Sequence, residues 1–572
     1  MIQPTKADQA PDRKAVIEDN KDFVWRVKMP VFETNKTNVN GLEIKSSAQG
    51  DLIFGSFADD KIDAQDGDDL IFSLSGDDEV SAGTGDDVVF AGAGHDTVNG
   101  GDGEDNMFGG RGNDVLVGNK GNDRMFGGSG DDMLVWNNGD GSDLMNGGRG
   151  HDQVQVNFNT DLVNDDLQNK DVAEFSVTDK GVQFARIELN DQSEVGLFQL
   201  DIRNTEELET NFGGGDDTAV LKDNVLQEIK LDLDGGDGED TLDLSQVSHA
   251  VKVNLNRDKV GESKLENFED IIGTEFDDKV IGDGEANEIS GLGGSDTIRG
   301  RDGDDILVGN KGDDFVFGGG GDDMLVWNNG DGSDLLDGDG GYDTVQVNFD
   351  TDLVNDALQN KDVAEFSVTD QGVQFARIEV NDQTEVGLFE LDIRDTEKLE
   401  TNFGGGDDTV VLKDNVLEEI KLDLDGGDGV DTLDLSQVDS AVAVNLDEGT
   451  LGTSKAVNFE NVEGTEFNDV ITGNDQDNVI AGGSCLNILT GGDGADTFVF
   501  REGDVGVSVI TDFEIEVDQI LIETSDPSVT TDSLLSNLSQ DGDDVELALN
   551  GRIVTFEDTT VDEFNADSFI FG

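Results

Sequence analysis

Across much of this chain an aspartate returns every ninth residue, sixth in a phrase built on glycine. Gly100-Gly101-Asp102-Gly103-Glu104-Asp105-Asn106-Met107-Phe108 is followed in the same phase by residues 109–117, 118–126 and 127–135. The pattern is glycine, glycine, any residue, glycine, any residue, aspartate, any residue, large apolar residue, any residue. A carboxylate set among glycine carbonyls offers a cation oxygen ligands only. All-oxygen, six-fold or higher, flexible coordination is calcium chemistry. Zinc would want His or Cys, and the chain holds only His95, His151, His249 and Cys485. His95 and His151 fall at the variable fifth position and read as surface residues.

The sixth-position acids of the first array are Asp60, Asp69, Asp78, Asp87, Asp96, Asp105, Asp114, Asp123, Asp132 and Asp152. One unit, residues 136–146, is two residues longer and puts Asp143 in the equivalent slot. A second array offers Asp278, Asp296, Asp305, Asp314, Asp323, Asp334 and Asp343. A third is weaker: Asp469 and Asp496 fit, while Asn478 and Asn487 stand where aspartate is expected. Isolated phrases between the arrays add Asp217, Asp240, Asp408 and Asp431.

These side chains need a scaffold that returns to one place every few residues. Glycines at positions one, two and four permit φ > 0 and a tight turn with inward carbonyls. The spacing predicts a six-residue turn and a three-residue strand, with the eighth residue (Val89, Val98, Met107, Leu116, Met125, Leu134) pointing inward. Two nonads then make one coil of about eighteen residues, and coils stack about 4.8 Å apart. Turns on one side lie above one another, with room for a cation between them.

The composition fits such a cation-neutralised fold. Net charge is −94, from 130 Asp+Glu against 36 Lys+Arg. That much acid alone would favour disorder, but acid and hydrophobe both recur at fixed phase. No basic stripe is present to hold nucleic acid. A single cysteine excludes an internal disulfide, no apolar run is long enough to span a membrane, and the first residues lack the apolar core of a cleavable signal peptide.

Boundaries follow the arrays. Residues 1–49 read as a leader or cap, with Phe23-Val24-Trp25-Arg26-Val27 as one strand. Residues 50–157, 273–348 and 464–500 are nonapeptide arrays. Residues 158–272 and 349–463 are irregular β segments, each with isolated repeat phrases that suggest longer rungs of the same solenoid. In the first, residues 175–177 and 182–184 flank Asp179-Lys180-Gly181 as a hairpin, and residues 162–168 read as a short helix. Residues 501–572 read as a C-terminal cap in which 545–549 and 553–556 pair across Asn550-Gly551. A longer repetition overlies these: residues 135–144 recur unchanged at 326–335, a shift of 191. Duplication lengthens a solenoid cheaply, because each rung touches only its neighbours.

The tandem phrases resemble the repeats-in-toxin (hemolysin-type) calcium-binding family, whose nonapeptide builds a calcium-binding parallel β-helix. The resemblance implies an all-β parallel β-roll and makes the aspartates named above calcium ligands. It also implies a Gram-negative source, type I secretion and an uncleaved C-terminal signal. Residues 491–500, 510–513 and 517–520 resemble the family's closing segment, and Asp567-Ser568-Phe569-Ile570-Phe571-Gly572 resembles such a signal.

Relatives often carry a catalytic domain. Here there is no His-Glu-x-x-His and no Gly-x-Ser-x-Gly elbow with a plausible histidine. The expectation is a secreted, non-catalytic structural protein of the cell surface or matrix (S-layer, sheath or biofilm) that folds on meeting calcium and self-assembles. The alternative is a calcium-dependent adhesin or polysaccharide-binding module, which Trp136 and Trp327 would favour if exposed. Their other reading is a wedge in the eleven-residue unit.

Overall fold

The computed structural model describes residues 41–158, 170–190, 193–348, 361–381, 384–549 and 551–572. The apolar eighth position sets the architecture. In Lys61–Asp63 the middle residue is buried and its neighbours face out, and Thr97–Asp102 buries Val98 in the same way. Each strand pairs in parallel with the strand one coil later, as in Ile62↔Val80, Val80↔Val98 and Val98↔Leu116. Alternate strands enter two facing sheets, so Val98 and Leu116 come from one wall of the core and Val89, Met107 and Met125 from the other. All five are fully buried. Among the described residues one sheet has 26 strands, and the second faces it along the roll. The fold is a nearly all-β parallel roll.

The turn is shorter than the spacing predicts. Strands such as Thr97–Asp102 and Val115–Lys120 run six residues, and Gly101↔Asn119 and Asp102↔Lys120 remain paired. Because identical turns stack in register, backbone pairing continues into their first residues.

The eleven-residue unit lengthens one coil, so Arg124 pairs with Leu144 instead of a residue eighteen on. The extra backbone is filled by Trp136, wholly buried, whose Nε1–H donates to the Gly141 carbonyl at 2.8 Å. Trp327 does the same with Gly332 at 3.0 Å. Both tryptophans are wedges, and neither presents a face to solvent.

In each irregular segment three antiparallel strands are inserted into one wall of the roll, their outer members pairing in parallel with the rungs before and after. Lys170–Thr178 pairs with Gly181–Asn190, which pairs with Ser193–Arg203. The predicted hairpin is there, with Phe175 opposite Phe184, but it is two-thirds of a three-stranded meander. The duplicate meander (Lys361–Thr369, Gly372–Asn381, Thr384–Arg394) belongs to the other sheet, so the two copies lie in opposite walls of the roll. Beyond each meander the isolated phrases are indeed rungs, with Thr218 on Thr241 and Thr409 on Thr432. Short helices at Val225–Glu228, Val416–Glu419 and Thr531–Ser536 have no signature in the repeat pattern.

At the C-terminus Asp544–Leu549 pairs antiparallel with Arg552–Phe556, and Phe513, Phe556, Phe564 and Phe569 close the end of the core. The strand expected at residues 23–27, the helix at 162–168 and Asn550 lie outside the described residues. No helix among the described residues is long and apolar enough to cross a membrane.

Candidate metal centre

Every sixth-position aspartate named from the sequence is buried at the base of its turn. One carboxylate oxygen of each array residue ties neighbouring coils together, since Oδ1 accepts the backbone N–H of the equivalent residue one coil earlier. One row runs Asp60, Asp78, Asp96, Asp114, Asp132 and Asp152, with N–H to Oδ1 distances of 2.7–2.9 Å. A second runs Asp69, Asp87, Asp105, Asp123 and Asp143. The second array repeats this from Asp278 through Asp296 and Asp314 to Asp334, and from Asn287 through Asp305 and Asp323 to Asp343. Asp217 pairs with Asp240, Asp408 with Asp431, Asn478 with Asp496, and Asp469 with Asn487.

The rows end on residues that the nonad pattern does not reveal. Glu206 accepts from Asp152 N–H, Glu269 from Asp240, Glu397 from Asp343 and Glu460 from Asp431, at 2.8–2.9 Å. Asp518 does so for Asp496. A glutamate's extra methylene reaches the same N–H from an irregular coil. The only sequence signal was an acid beside the next strand's start. A second, exposed row uses the fifth position, as when Asp77 accepts from His95 N–H and Asp86 from Glu104 N–H. His95 is exposed, and its Nδ1 accepts from Asn113 N–H at 2.9 Å. His151 is exposed as well.

The second carboxylate oxygen separates two kinds of turn. In turns that keep glycine at position four, those of Asp69, Asp87, Asp105, Asp123, Asp296, Asp305, Asp314 and others, Oδ2 is buried with no hydrogen-bond partner. Such an oxygen costs about 1–3 kcal/mol or more if left bare. The surrounding backbone crowds these glycines. A Cβ on Gly100 would sit 2.4 Å from Asp105 Oδ2, and one on Gly101 would lie 1.8 Å from the Gly83 carbonyl oxygen. Carbonyl and carboxylate oxygens thus crowd the gap between stacked turns.

The other kind of turn has serine or threonine at position two and no glycine at position four, and it caps itself. Asp278 Oδ2 accepts from Thr274 N–H at 2.7 Å and Oδ1 from Thr274 Oγ1 at 3.0 Å. Asp469 uses Thr465 in the same way, and Asp60 uses Ser56. These carboxylates have protein donors where the glycine-rich turns have none.

Ionisation carries the same message. Burial pushes Asp87 and Asp123 up to about 8, against backbone N–H bonds that pull them down and neighbouring aspartates that push further. Asp69, Asp114, Asp240 and Asp305 go up to about 7 for the same leading reason. A stack of buried carboxylates cannot all hold negative charge without a counter-ion, and a cation in the stack reverses that penalty. Among the described residues no three His, Cys, Asp or Glu side chains converge as a metal cluster. A metal between turns would therefore draw on backbone carbonyls as well as carboxylates, as hard oxygen-seeking cations do.

The family model for the RTX calcium-binding nonapeptide repeat (HemolysinCabind) matches residues 47–80, 73–107, 99–134, 139–155, 268–298, 290–325 and 463–498. The chain carries RTX calcium-binding repeats. Most turns with bare carboxylate oxygens lie within these matches, those of Asp240, Asp343 and Asp431 lie outside them, and the donors fit calcium. No curated relative matches the chain. Among solved structures, an extracellular lipase, LipA from Serratia marcescens, is similar at 20% identity over 59% of this chain and 45% of its own, with a TM-score of 0.18. The RTX-repeat chain thus spans under half of that lipase's length. A likeness so distant carries no argument about activity.

Proposed function

We propose that this RTX-repeat chain is a secreted, non-catalytic structural protein of a Gram-negative cell surface or extracellular matrix, of the S-layer, sheath or biofilm type. It leaves through a type I apparatus, folds on meeting extracellular calcium and assembles with other copies. The observation that carries this reading is the set of rows of buried carboxylates, most with one bare oxygen, that recur from Asp69 to Asp496 in a chain whose described residues are mostly roll. Sixth-position aspartates of the glycine-rich turns are the calcium ligands in this reading, together with carbonyls of the same and adjacent turns. At extracellular affinities of about 10⁻⁴–10⁻³ M, cytosolic calcium leaves the carboxylates mutually repelling and the chain open.

The adhesin reading loses its particular support, because Trp136 is buried and hydrogen-bonded inside the roll and Trp327 is buried beside Phe389. Two measurements test the proposal. Circular dichroism of the full chain should gain strong β signal on calcium titration, and full β signal in excess chelator at neutral pH would overturn calcium-controlled folding. Cells washed in calcium should retain the protein and cells washed in chelator should release it. Equal retention would remove the calcium-held surface role.

A further inference from the structure

On one face of the first array the ninth position is phenylalanine in five successive coils: Phe54, Phe72, Phe90, Phe108 and Phe126. Their rings stack one on the next at centroid distances of 5.3, 5.0, 4.8 and 5.0 Å, with interplanar angles of 6–11°. Phe54 and Phe90 are 44% and 37% exposed, and the other three are half-buried. Half-buried Leu52 and Leu70 and buried Val88 form a lower apolar row beside them at position seven of the same strands. Calcium-bound turns need no such outward ladder, and the core is already filled by the eighth positions.

The charge around it is unusual for this protein. On a chain of net charge −94, the outward seventh and ninth positions of these five strands include no acid, and their single charge is Arg124. The opposite face of the same coils is polar, with Lys45 paired to Asp63 and Lys61 to Glu79. The ladder also has no counterpart in the second array, where Phe317 lies under Arg299 instead of in a phenylalanine stack.

We propose that this face is the contact through which two copies of the chain associate, a step that rests on the self-assembling role above. Two features select a second copy as the occupant. Another molecule this acidic is repelled elsewhere along the roll and meets no opposing charge here. The ridge and the lower row also share one repeat, so two copies related by a two-fold axis set each ridge against the other's groove at matching spacing. Five rungs at about 4.8 Å make a strip roughly 20 Å long. Burying roughly 500 Å² per copy approaches the ~1,000 Å² total of a weak specific interface. Association is therefore reversible and rises with concentration.

The test is sedimentation velocity of the full chain in saturating calcium over rising concentration, with circular dichroism on the same samples. The wild type should move from monomer to dimer. Phe72→Ser with Phe90→Ser should stay monomeric with unchanged β signal, whereas Ser81→Lys on the opposite face should dimerise as the wild type does. If the double variant fails to fold, Leu70→Lys, at a half-buried position that leaves every ring in place, serves instead and should also stay monomeric. A folded wild type that remains monomeric throughout, or a dimer untouched by the variants on this face, overturns the proposal. Loss of the calcium response with the dimer intact overturns calcium-controlled folding and leaves this interface standing; loss of β signal in both buffers overturns both.

Discussion

Asp123→Asn should change stability in opposite directions with and without calcium. Asp123 lies mid-row, its Oδ1 accepting from Asp105 N–H at 2.8 Å while Oδ2 is bare. Asparagine keeps an oxygen for the Asp105 bond and removes the charge. Without metal, burial holds this carboxyl near 8 against an ordinary 3.8. A tenfold change in proton affinity is worth about 1.4 kcal/mol, so ionising Asp123 in the metal-free roll at neutral pH costs on the order of 2–4 kcal/mol after allowance for relaxation. The variant should be the more stable protein in chelator by that order. Calcium erases the advantage. Asp123 faces a gap above and a gap below, and at calcium ~100-fold over the dissociation constant each lost site forfeits about 2.7 kcal/mol. The two stability curves should therefore cross as calcium rises. Urea denaturation followed by circular dichroism across a calcium series measures this. A variant less stable than wild type in chelator, or one whose advantage calcium leaves unchanged, would refute the claim that the row is a charge stack awaiting a cation.

Acid should substitute in part for calcium. Folded values of about 6 for Asp105, 7 for Asp114 and 8 for Asp87 all lie above the ordinary 3.8, so the folded state binds protons more tightly. Their contribution is full below the unfolded value and is lost as pH rises through about 6–8. In chelator, β signal should fall over that window; more β signal at its alkaline end than at its acid end would contradict the assignment. Gly101→Ala puts a Cβ 1.8 Å from the Gly83 carbonyl at φ +114°, whereas Gly330→Ala at φ +92° meets nothing within 4 Å. The first should lose more than ~2 kcal/mol and the second about 1 kcal/mol in urea midpoints, and equal losses would count against stacked-turn crowding. Thr274→Val removes the 3.0 Å hydroxyl bond to Asp278. It should cost about 1 kcal/mol in saturating calcium, with calorimetric calcium stoichiometry unchanged, and a drop in stoichiometry would place a metal at that turn after all.

Much of the roll was legible because it is a local code repeated. A buried residue at position eight and a glycine-built turn define a coil without reference to distant residues, and Ile62, Val80, Val98 and Leu116 stack one above another as the nine-residue phase requires. The aspartate rows were legible for the same reason. Glu206, Glu269, Glu397 and Glu460 were not, because they enter a row only after a meander or an irregular coil has returned the chain to it. The self-capped turns could have been suspected from the hydroxyls of Thr274 and Thr465 at position two with Phe276 and Phe467 replacing glycine at position four, but only their hydrogen bonds show that Asp278 and Asp469 already have donors.

The sequence by itself determined the period, the inward and outward faces, the oxygen-only donor set and the fact of duplication, since each is a property of one repeat or a comparison of two. Tertiary structure decided what depends on counting rungs. The same segment joins one sheet at Lys170–Thr178 and the other at Lys361–Thr369, because every strand added between the copies alternates the wall on which the next one lands. It likewise decided that Phe54 through Phe126 form one continuous stack: residues eighteen apart in the chain become neighbours only when the coils close on each other.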